Sequence, residues 1–319
     1  MIPELSIVVP AYNEAGNIIP LYKKLCSTLE KRNIEFEIVY VNDGSSDETL
    51  AQIKEVVGSD KRVRFASFSR NFGHEAATSC GLNLVTGRAA VLIDADQQDP
   101  PEVILQLYDK WKEGFDVVYG RRILRHNEGL IKKASAFLFY RLLGIFSDTA
   151  IPKDVGDFRL MDRKVIDHFN QLPERNRFVR GMIAWIGFRQ TAIDYHREGR
   201  YHGDTKYSIF KLSLLSIDAL VSFTTAPLKL CVVIGAIVTM ISFSLTLIIV
   251  MQKLFFNLEI PGYALITSGM FFLGGVQLTF LGVVGVYIGK IYTQVQARPL
   301  YIISETDNNN NNEQTNTAT

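Results

Sequence analysis

The strongest constraint on the fold is a regular alternation of short apolar runs with amphipathic stretches over residues 5–120. Short apolar runs predict buried strands, and apolar residues at helical spacing predict the helices between them. Strands that alternate with helices form a mostly parallel sheet that is covered on both faces. The predicted strands are 5–10, 36–43, 63–69, 89–96 and 116–122, and the predicted helices are 14–32, 45–57, 74–87 and 100–114.

Polar clusters follow four of these strands at their carboxyl ends. In an open parallel sheet the carboxyl ends lie along one edge, and ligands bind there. The sequence therefore predicts a ligand site that several loops build together. The clusters are Tyr12-Asn13-Glu14, Asn42-Asp43-Gly44, Ser69-Arg70-Asn71 and Asp94-Ala95-Asp96.

The segment VLIDADQQDPP, which ends the fourth predicted strand, carries three aspartates within a few residues. Carboxylates this close repel one another when water is excluded, so we expect a cation beside them. Asp94 and Asp96 can turn toward one ion where the strand breaks, and oxygen ligands suit Mg²⁺ or Mn²⁺. Asp99 stands before Pro100 and Pro101 and is predicted to cap the next helix. For an isolated D-x-D pair, a simple turn that caps a helix is the alternative.

The overall composition argues against several other classes of protein. The 34 Lys and Arg residues nearly balance the 33 Asp and Glu residues, whereas a nucleic-acid-binding protein needs a basic surplus. Cys26, Cys80 and Cys231 lie far apart, so neither a disulfide framework nor a CxxC metal site is predicted. The five histidines show no spacing typical of a zinc site.

Two uncharged apolar runs set the last third of the chain apart. Residues 230–252 and 260–289 each exceed the roughly 20 residues that a helix needs to cross a bilayer. Their short connection predicts a two-helix transmembrane hairpin, and glycines in the second run would permit a homo-oligomer without requiring one. The positive-inside rule places the N-terminal domain and both termini in the cytoplasm. The flanking basic residues are Lys206, Lys211 and Lys229 before the first run, and Lys290 and Arg298 after the second.

Two basic, amphipathic stretches precede the apolar runs. Residues 131–146 suit either a core helix or a helix that lies on the membrane surface, and both interpretations stay open. Residues 206–227 are a second candidate of the same kind. We therefore expect interfacial amphipathic helices beside the transmembrane hairpin.

Five motifs, in this order along the chain, resemble the inverting glycosyltransferases of family two, which have the GT-A fold. Within that family they are most similar to the polyprenyl-phosphate glycosyltransferases, which include bactoprenol glucosyltransferases and dolichol-phosphate mannose synthases. The resemblance covers most of the chain, up to the end of the second apolar run and just beyond it. The family often has D-A-D-L-Q where this chain has Gln97 in place of Leu, which we interpret as a peripheral change. The motifs are SIVVPAYNEAGNI, VNDGSSDET, SRNFGHEAAT, DADQQDPPE and GDFRLMDRKV.

The resemblance implies a role for each matching position. Asp157 matches the family's catalytic carboxylate, which would act as a base or orient a substrate; a structural pairing with Arg159 is the alternative. Asp94 and Asp96 would hold the metal, with Gln98 as a third ligand or as a partner of one. The donor nucleotide would lie against Pro10, Tyr12, Asn13, Glu14, Asp43, Arg70, Asn71, Asp94 and Ala95.

Basic residues would contact the phosphates of both substrates. By resemblance, the stretch REGRYHGDTKYS closes over the donor diphosphate through Arg200 and Lys206. Arg122 and Arg125, after the fifth strand, would meet the phosphate of the lipid acceptor. A solvated basic linker near anionic lipid is the alternative for the first of these stretches.

These expectations define one domain arrangement. A GT-A domain (α/β, mostly parallel sheet) would occupy residues 1–205, and a juxtamembrane amphipathic helix would occupy 206–227. Two transmembrane helices would fill 228–292. The cytoplasmic tail, 293–319, is expected to be disordered from about residue 305 because its composition is polar and repetitive.

The implied activity is transfer of glucose from UDP-glucose to undecaprenyl or another polyprenyl phosphate, with inversion and with Mg²⁺ or Mn²⁺. It would take place at the cytoplasmic face of a bacterial inner membrane and supply cell-envelope glycosylation. UDP-N-acetylglucosamine and GDP-mannose are the alternative donors. A non-catalytic membrane scaffold that binds sugar nucleotides is the alternative class. A processive polysaccharide synthase is disfavoured because the stretch RGMIAWIG lacks an arginine directly before its tryptophan.

Overall fold

The structure is a computed structural model that describes residues 2–123, 155–196, 226–256 and 262–307. The chain divides into two compact units. One unit holds an α/β sheet with its helices and includes the residues that follow the last long helix. The other unit holds two long apolar helices.

The described part of the first unit has eight strands, which form one sheet, and six helices. The strands are β1 (Leu5–Ala11), β2 (Phe36–Asn42), β3 (Val63–Phe68), β4 (Ala89–Leu92), β5 (Val117–Arg122), β6 (Val155–Asp162), β7 (Gln190–Tyr195) and β8 (Ile303–Thr306). The helices are α1 (Ile18–Glu30), α2 (Thr49–Ser59), α3 (His74–Leu84), α4 (Val103–Lys112), α5 (Arg163–Gln171) and α6 (Val179–Ile186).

The sheet is mostly parallel, as the sequence predicted. Its strand order is β7-β5-β6-β4-β1-β2-β3-β8. Strands β6 and β8 run antiparallel to their neighbours, and every other described pairing is parallel. Strands β1, β2 and β4 are buried along their whole length, which explains their continuous apolar runs.

Helix α3 lies close to the sheet because its buried residues are small. A Cβ atom on Gly81 would stand 2.2 Å from the Val8 side chain of β1, so this position has no room for a larger residue. Ala76 and Ala77 line the same buried face. This close packing sets the position of the first residue of the helix, His74, at the edge of the sheet where β1 to β4 end.

The loop after β4 differs from the expectation in two ways. The strand ends at Leu92, not at residue 96, and α4 begins at Val103 with Glu102 as its N-cap. The prediction that Asp99 caps this helix is wrong. Asp99 is fully buried, and its carboxylate accepts a hydrogen bond from the Tyr195 hydroxyl of β7. The tertiary contact with β7 therefore places this carboxylate in the core, away from the end of the helix.

Strand β8 overlaps the start of the segment that is expected to be disordered, from about residue 305. Ile303–Thr306 pairs with β3, which places Glu305 and Thr306 in the sheet. The strand covers the backbone edge of β3, and an uncovered edge would otherwise be open to another chain.

The second unit contains α7 (Ala226–Phe256) and α8 (Tyr263–Gln296). Within the described residues, one helical segment, Gly269–Gln296, is long and apolar enough to cross a membrane, and Leu230–Leu245 is a shorter apolar segment. The two-helix hairpin thus stays a prediction. Gly235 of α7 faces the Phe280 ring of α8, where an added Cβ would be 3.6 Å away. The first expected amphipathic helix, 131–146, lies outside the described residues, as do residues 206–225 of the second, 206–227.

Candidate active site

The edge where β1 to β4 end gathers most of the predicted site residues. Strand β4 pairs antiparallel with β6, with Leu92 opposite Arg159. The same register, continued past the end of β4, brings Asp94 level with Asp157. Two carboxylates that are far apart in the sequence therefore meet at one point of the edge, because β6 enters the sheet from the side where β4 leaves it.

His74 lies between these two carboxylates. Its Nε2 atom is 3.5 Å from Asp157 Oδ2 and 3.8 Å from Asp94 Oδ1. Burial lowers the pKa of His74, but the carboxylates raise it further, to about 9, although 42% of the side chain is exposed. The imidazole is therefore a cation at neutral pH. No role was predicted for His74. Its position at the start of a helix, directly after the third polar cluster, is the sequence feature that could have indicated one.

The carboxylate of Asp94 carries an unfavourable charge. Burial raises its pKa to about 6, and the neighbouring Asp157, Asp99 and Asp96 raise the pKa as well, whereas His74 lowers it. Asp96 is also buried, and its Oδ1 accepts the Gln98 N–H at 3.1 Å. Ala95, between the two aspartates, is buried. This concentration of negative charge favours a bound cation.

The oxygen atoms that the protein offers would bind a hard divalent cation only together with oxygens from a bound substrate. Within the described residues, no group of three or more His, Cys, Asp and Glu side chains is arranged to hold a metal ion. Asp94 and Asp96, with the partly exposed Gln98, would supply two or three oxygens. Mg²⁺ in proteins commonly uses one or two carboxylates and completes its shell with substrate phosphates and water. The residues are therefore consistent with a metal that is bound together with a diphosphate.

Asp157 is held by an arginine that was not assigned a role from the sequence. Arg180, near the start of α6, donates from Nε to Oδ1 at 2.7 Å and from Nη2 to Oδ2 at 2.6 Å. Burial raises the pKa of Asp157, but Arg180 and His74 lower it more, and the result lies well below the ordinary value. The alternative partner, Arg159, instead donates to the backbone carbonyls of Gly156 and Asp157.

Glu75 fixes the start of the helix that carries Arg180. Its Oε2 accepts the Val179 N–H at 2.9 Å, which joins the first turn of α3 to the first turn of α6. Burial raises the pKa of Glu75, and the charge of Asp157 raises it further. Arg180 stands next to Val179 in the chain, so this bond also restrains where its guanidinium can reach. In the sequence, this arginine is the first residue of the stretch RGMIAWIG.

Asp43, one of the residues predicted to lie against the nucleotide, organises the loop after β3. Its carboxylate accepts the Phe72 N–H at 2.6 Å, the Gly73 N–H at 3.0 Å and the Asn71 Nδ2–H at 2.9 Å. Burial raises the pKa of Asp43, and these backbone donors oppose the rise. Gly44 follows with a φ of 64°, and a Cβ there would lie 2.3 Å from the carbonyl carbon of Arg70. The chain at this point therefore requires glycine.

The loops after β1 and β2 are joined by Asn13, which has a φ of 54°. Its backbone N–H donates to Ser45 Oγ at 3.0 Å, and its side-chain oxygen accepts the Ser46 N–H at 2.9 Å. Pro10 is buried within β1, whereas Tyr12 is exposed at the edge of the sheet. The predicted nucleotide residues of β1 therefore lie in one loop that the second loop supports.

Gln97 is not peripheral, contrary to its interpretation from the sequence. It is buried with a φ of 59°, and its Nε2 donates to Asn17 Oδ1 at 3.3 Å. Asn17 Nδ2 in turn donates to Glu14 Oε2 at 2.6 Å. These amides connect the aspartate-rich loop to the loop after β1, a role that a leucine could not fill.

Several predicted phosphate ligands lie outside the described residues. They are Arg125, Arg200 and Lys206, and for Arg122 only the backbone is described, at the end of β5. The neighbouring Arg121 binds Asp194 of β7 through Nε and Nη2, at 2.6 and 2.9 Å. The part of the candidate site that the structure describes is thus the edge where β1 to β4 end, with the surroundings of Asp157.

Comparison with known proteins agrees with this arrangement. Residues 6–169 match the family model described as Glycosyl transferase family 2. An uncharacterised glycosyltransferase of Synechocystis sp. is 44% identical over 302 residues, which cover 95% of each chain. The bactoprenol glucosyl transferase of Shigella phage SfII is 40% identical over 307 residues, which cover 96% of this chain and 99% of the phage protein.

Among solved structures, mannosyl-3-phosphoglycerate synthase from Rubrobacter xylanophilus has a similar fold, with a TM-score of 0.50 and 16% identity over 68% of this chain and 72% of that one. The chain belongs to glycosyl transferase family 2. It is a glycosyltransferase with a GT-A-like α/β fold and a mostly parallel sheet.

Proposed function

We propose that the enzyme transfers a hexose from a nucleoside diphosphate sugar, with UDP-glucose as the first candidate, to a polyprenyl phosphate. The name of the phage relative, bactoprenol glucosyl transferase, supports a lipid phosphate as acceptor, since that protein aligns with almost the whole chain. UDP-N-acetylglucosamine and GDP-mannose remain the other donors to test. A non-catalytic scaffold that binds sugar nucleotides is the remaining alternative from another class.

The observation that carries this proposal is the meeting of Asp94 and Asp157 on either side of His74. Asp94, with Asp96, stands where a donor diphosphate and its cation would bind. Asp157 stands on the other side of the imidazole, where an acceptor would approach the anomeric carbon. Catalysis by a single displacement needs the donor and the acceptor held in line. Asp157 on β6 and Asp94 directly after the neighbouring antiparallel strand β4 suit that need.

The donor would lie along the ends of β1 to β4. The loops built around Asn13 and Asp43 would hold the nucleotide, with Tyr12, Arg70 and Asn71 exposed beside them. Asp94, Asp96 and Gln98 would hold Mg²⁺ or Mn²⁺. A divalent cation there supplies positive charge to the departing diphosphate.

Asp157 orients the acceptor and does not need to take a proton. An ionised lipid phosphate already carries the attacking electron pair, so no base is required. Arg180 keeps the Asp157 carboxylate anionic and fixes its position through two hydrogen bonds. The phosphate oxygen forms a bond to the anomeric carbon as the bond to the diphosphate breaks. An α-linked donor therefore gives a β-linked polyprenyl-phosphate sugar.

The acceptor would reach this site from a membrane. Helices α7 and α8 expose large apolar side chains along their length, such as Phe271, which is 79% exposed. Apolar side chains in such number are stable in lipid and not in water. We therefore propose that the two-helix hairpin lies in a bacterial inner membrane, with the catalytic domain and both termini in the cytoplasm. The domain boundaries are those predicted from the sequence. Arg122, Arg125, Arg200 and Lys206 remain the proposed phosphate ligands.

The test is transfer of labelled sugar into lipid. Membranes that contain the full chain are incubated with polyprenyl phosphate and, in turn, with UDP-glucose, UDP-N-acetylglucosamine or GDP-mannose. We expect label from one donor in the butanol-extractable lipid, and we expect chelation of divalent cations to stop the transfer. Label found in a water-soluble polymer, or no label with any donor despite nucleotide binding, would overturn the proposal.

Asp96→Asn tests the metal and diphosphate assignment. We expect this variant to fold and to lose transfer by at least about a hundredfold, because removing one charged ligand weakens charge neutralisation in the transition state. Asp109→Asn is the matched control, since Asp109 makes an exposed ion pair with Arg32 on the surface. Equal activity of the two variants would show that Asp96 has no such role.

A further inference from the structure

The C-terminal segment contacts the loop that organises the predicted nucleotide pocket. Directly beyond β3, the Ser69 N–H donates to the carbonyl oxygen of Ile302 at 3.0 Å. The Ser304 hydroxyl donates to the carbonyl of Ser67 at 3.0 Å. The pairing of β3 with β8 shifts register between Ser67 and Phe68, so the chain leaves β3 with an irregular step at this contact. The segment thus holds the backbone from which the loop at residues 69–73 begins.

An aromatic stack extends this contact toward the pocket. The Tyr301 ring lies parallel to the Phe68 ring, with centroids 4.9 Å apart and planes 9° from parallel. Phe68 meets Phe72 edge to face at 5.7 Å, and the Arg70 guanidinium lies 4.0 Å over the Phe72 ring. The Phe72 N–H then donates to the buried carboxylate of Asp43.

Tyr301 is well placed for such a role because it is largely enclosed. Burial raises the pKa of its hydroxyl above the ordinary value. Its hydroxyl accepts a long hydrogen bond from Asn83, at 3.5 Å, and also has a hydrogen bond with the Cys80 thiol of α3. Ile302, the next residue, is 55% exposed and makes its contact with the loop through its backbone.

We propose that Tyr301 and β8 position the donor-binding loop at residues 69–73, so that the nucleotide pocket is complete only when the chain that follows the long apolar helices has returned to the sheet. This inference rests on the proposed function in one respect, namely that this loop contacts the donor. Tyr301 is a positioning residue, since it acts through Phe68 and Phe72 and does not reach the substrate itself.

The test compares Tyr301→Ala, Tyr301→Phe and the control Ile302→Ala in the full chain, solubilised in detergent. Amide hydrogen exchange is followed for peptides that cover residues 69–73 and, separately, residues 13–17. We expect Tyr301→Ala to raise exchange at 69–73 and to leave 13–17 unchanged. Tyr301→Phe, which keeps the stack, and Ile302→Ala should both resemble the unmodified protein.

Donor affinity gives the second measurement. Titration with UDP should show about five- to tenfold weaker binding for Tyr301→Ala, because one aromatic stack no longer restrains the loop. In the transfer assay, the KM for the donor should rise by a similar factor while kcat changes little. A purely structural role for Tyr301 would instead lower the folded fraction and reduce kcat at unchanged KM.

The outcomes separate this inference from the proposed function. Unchanged exchange at residues 69–73 in Tyr301→Ala, or a rise in exchange over the whole sheet, would overturn the positioning role whether or not a nucleotide binds. Failure of the unmodified protein to bind any nucleoside diphosphate would overturn the proposed donor, whereas the exchange measurement would still decide the role of Tyr301.

Discussion

At the scale of single residues, the proposed chemistry depends on charged side chains that pair with one another at the edge of the sheet. Asp94 and Asp157 each carry a negative charge in a confined space, and His74 and Arg180 supply the compensating positive charges. Arg180 restrains Asp157 most, since it binds both carboxylate oxygens. A bidentate guanidinium fixes geometry in a way that the point charge of a lysine does not.

Arg180→Lys tests that restraint. We expect kcat to fall about ten- to a hundredfold, because a single ammonium leaves the Asp157 carboxylate free to rotate, so that it no longer orients the acceptor. Without the bidentate partner the pKa of Asp157 should rise, so the variant should lose activity at a higher pH than the unmodified enzyme as the solution is acidified. The pH profile of kcat measures both effects.

Arg189→Lys is the control for this variant. The Arg189 guanidinium lies 5.1 Å over the Phe115 ring and has no contact with Asp157. An unchanged pH profile for Arg180→Lys would contradict the role of Arg180, as would an equal loss of activity in both variants.

At the scale of secondary-structure elements, the polar loops make hydrogen bonds to elements that are distant in the sequence. The connection between α2 and β3 turns at Asp60, which accepts the Tyr22 hydroxyl of α1 at 2.8 Å and the Arg62 N–H at 2.9 Å. The hydrogen bond from the Arg62 side chain is the largest influence on the carboxyl and helps to lower the pKa of Asp60 to about 2, against the effect of burial. This turn therefore ties α1 to the entry of β3.

Asp60→Asn should destabilise the protein by about 1 kcal/mol at pH 7, a value reduced because Arg62 is 41% exposed and solvent screens the pair. The folded-state pKa of Asp60 lies below the unfolded value. The stabilisation is therefore complete above about pH 4 and is lost as the pH falls toward 2. The melting temperature, measured in detergent from pH 7 down to pH 3, should show a gap between the two proteins that narrows in the acid range.

Asp109→Asn serves as the matched control for this measurement, since Arg32 and Asp109 form a more exposed pair. A gap for Asp60→Asn that stays constant from pH 7 to pH 3 would contradict the assignment of the stabilisation to the charge of Asp60.

At the scale of the whole molecule, the chain returns to the catalytic sheet after its long apolar helices. Strand β8 adds an antiparallel edge to β3, and Glu305 of this strand pairs with Lys54 of α2 at 2.7 Å. The first unit is therefore built from both ends of the chain. The edge next to β3, which ends at residue 68, is completed by a strand that begins at residue 303, so 235 positions of the chain separate these two neighbouring strands.

Shortening the chain tests this arrangement. A chain that ends at Arg298 keeps both long helices but loses β8, so the backbone edge of β3 and the face of Phe68 become exposed. We expect a melting temperature lower by about 5 °C and a stronger tendency to aggregate, as for other uncovered sheet edges. Melting temperature and size-exclusion profile in detergent measure the two effects.

A chain that ends at Asp307 is the control, because it keeps every residue of β8. It should match the full chain in both measurements. Equal stability of the Arg298 and Asp307 chains would contradict a structural role for β8.

The local sequence determined the parallel α/β class, the sheet edge that is predicted to carry the site, and Asp94 and Asp96 as candidates. Hydrophobic periodicity and capping residues are local signals, so strands such as β1 and β2 were placed to within one residue of their ends. The resemblance to a known family added Asp157 and the expected roles of these residues. It could not show what each side chain contacts.

Only the tertiary structure decided which groups meet. The antiparallel entry of β6 brings Asp157 level with Asp94, and the packing of α3 and α6 adds His74 and Arg180 to them. For the same reason Asp99, predicted to be a helix cap, is a buried hydrogen-bond partner of Tyr195. Strand order and register depend on contacts between residues far apart in the chain, and no local pattern encodes those contacts. The sequence thus determined which residues could do the chemistry, and the packing of the sheet determined which of them stand together.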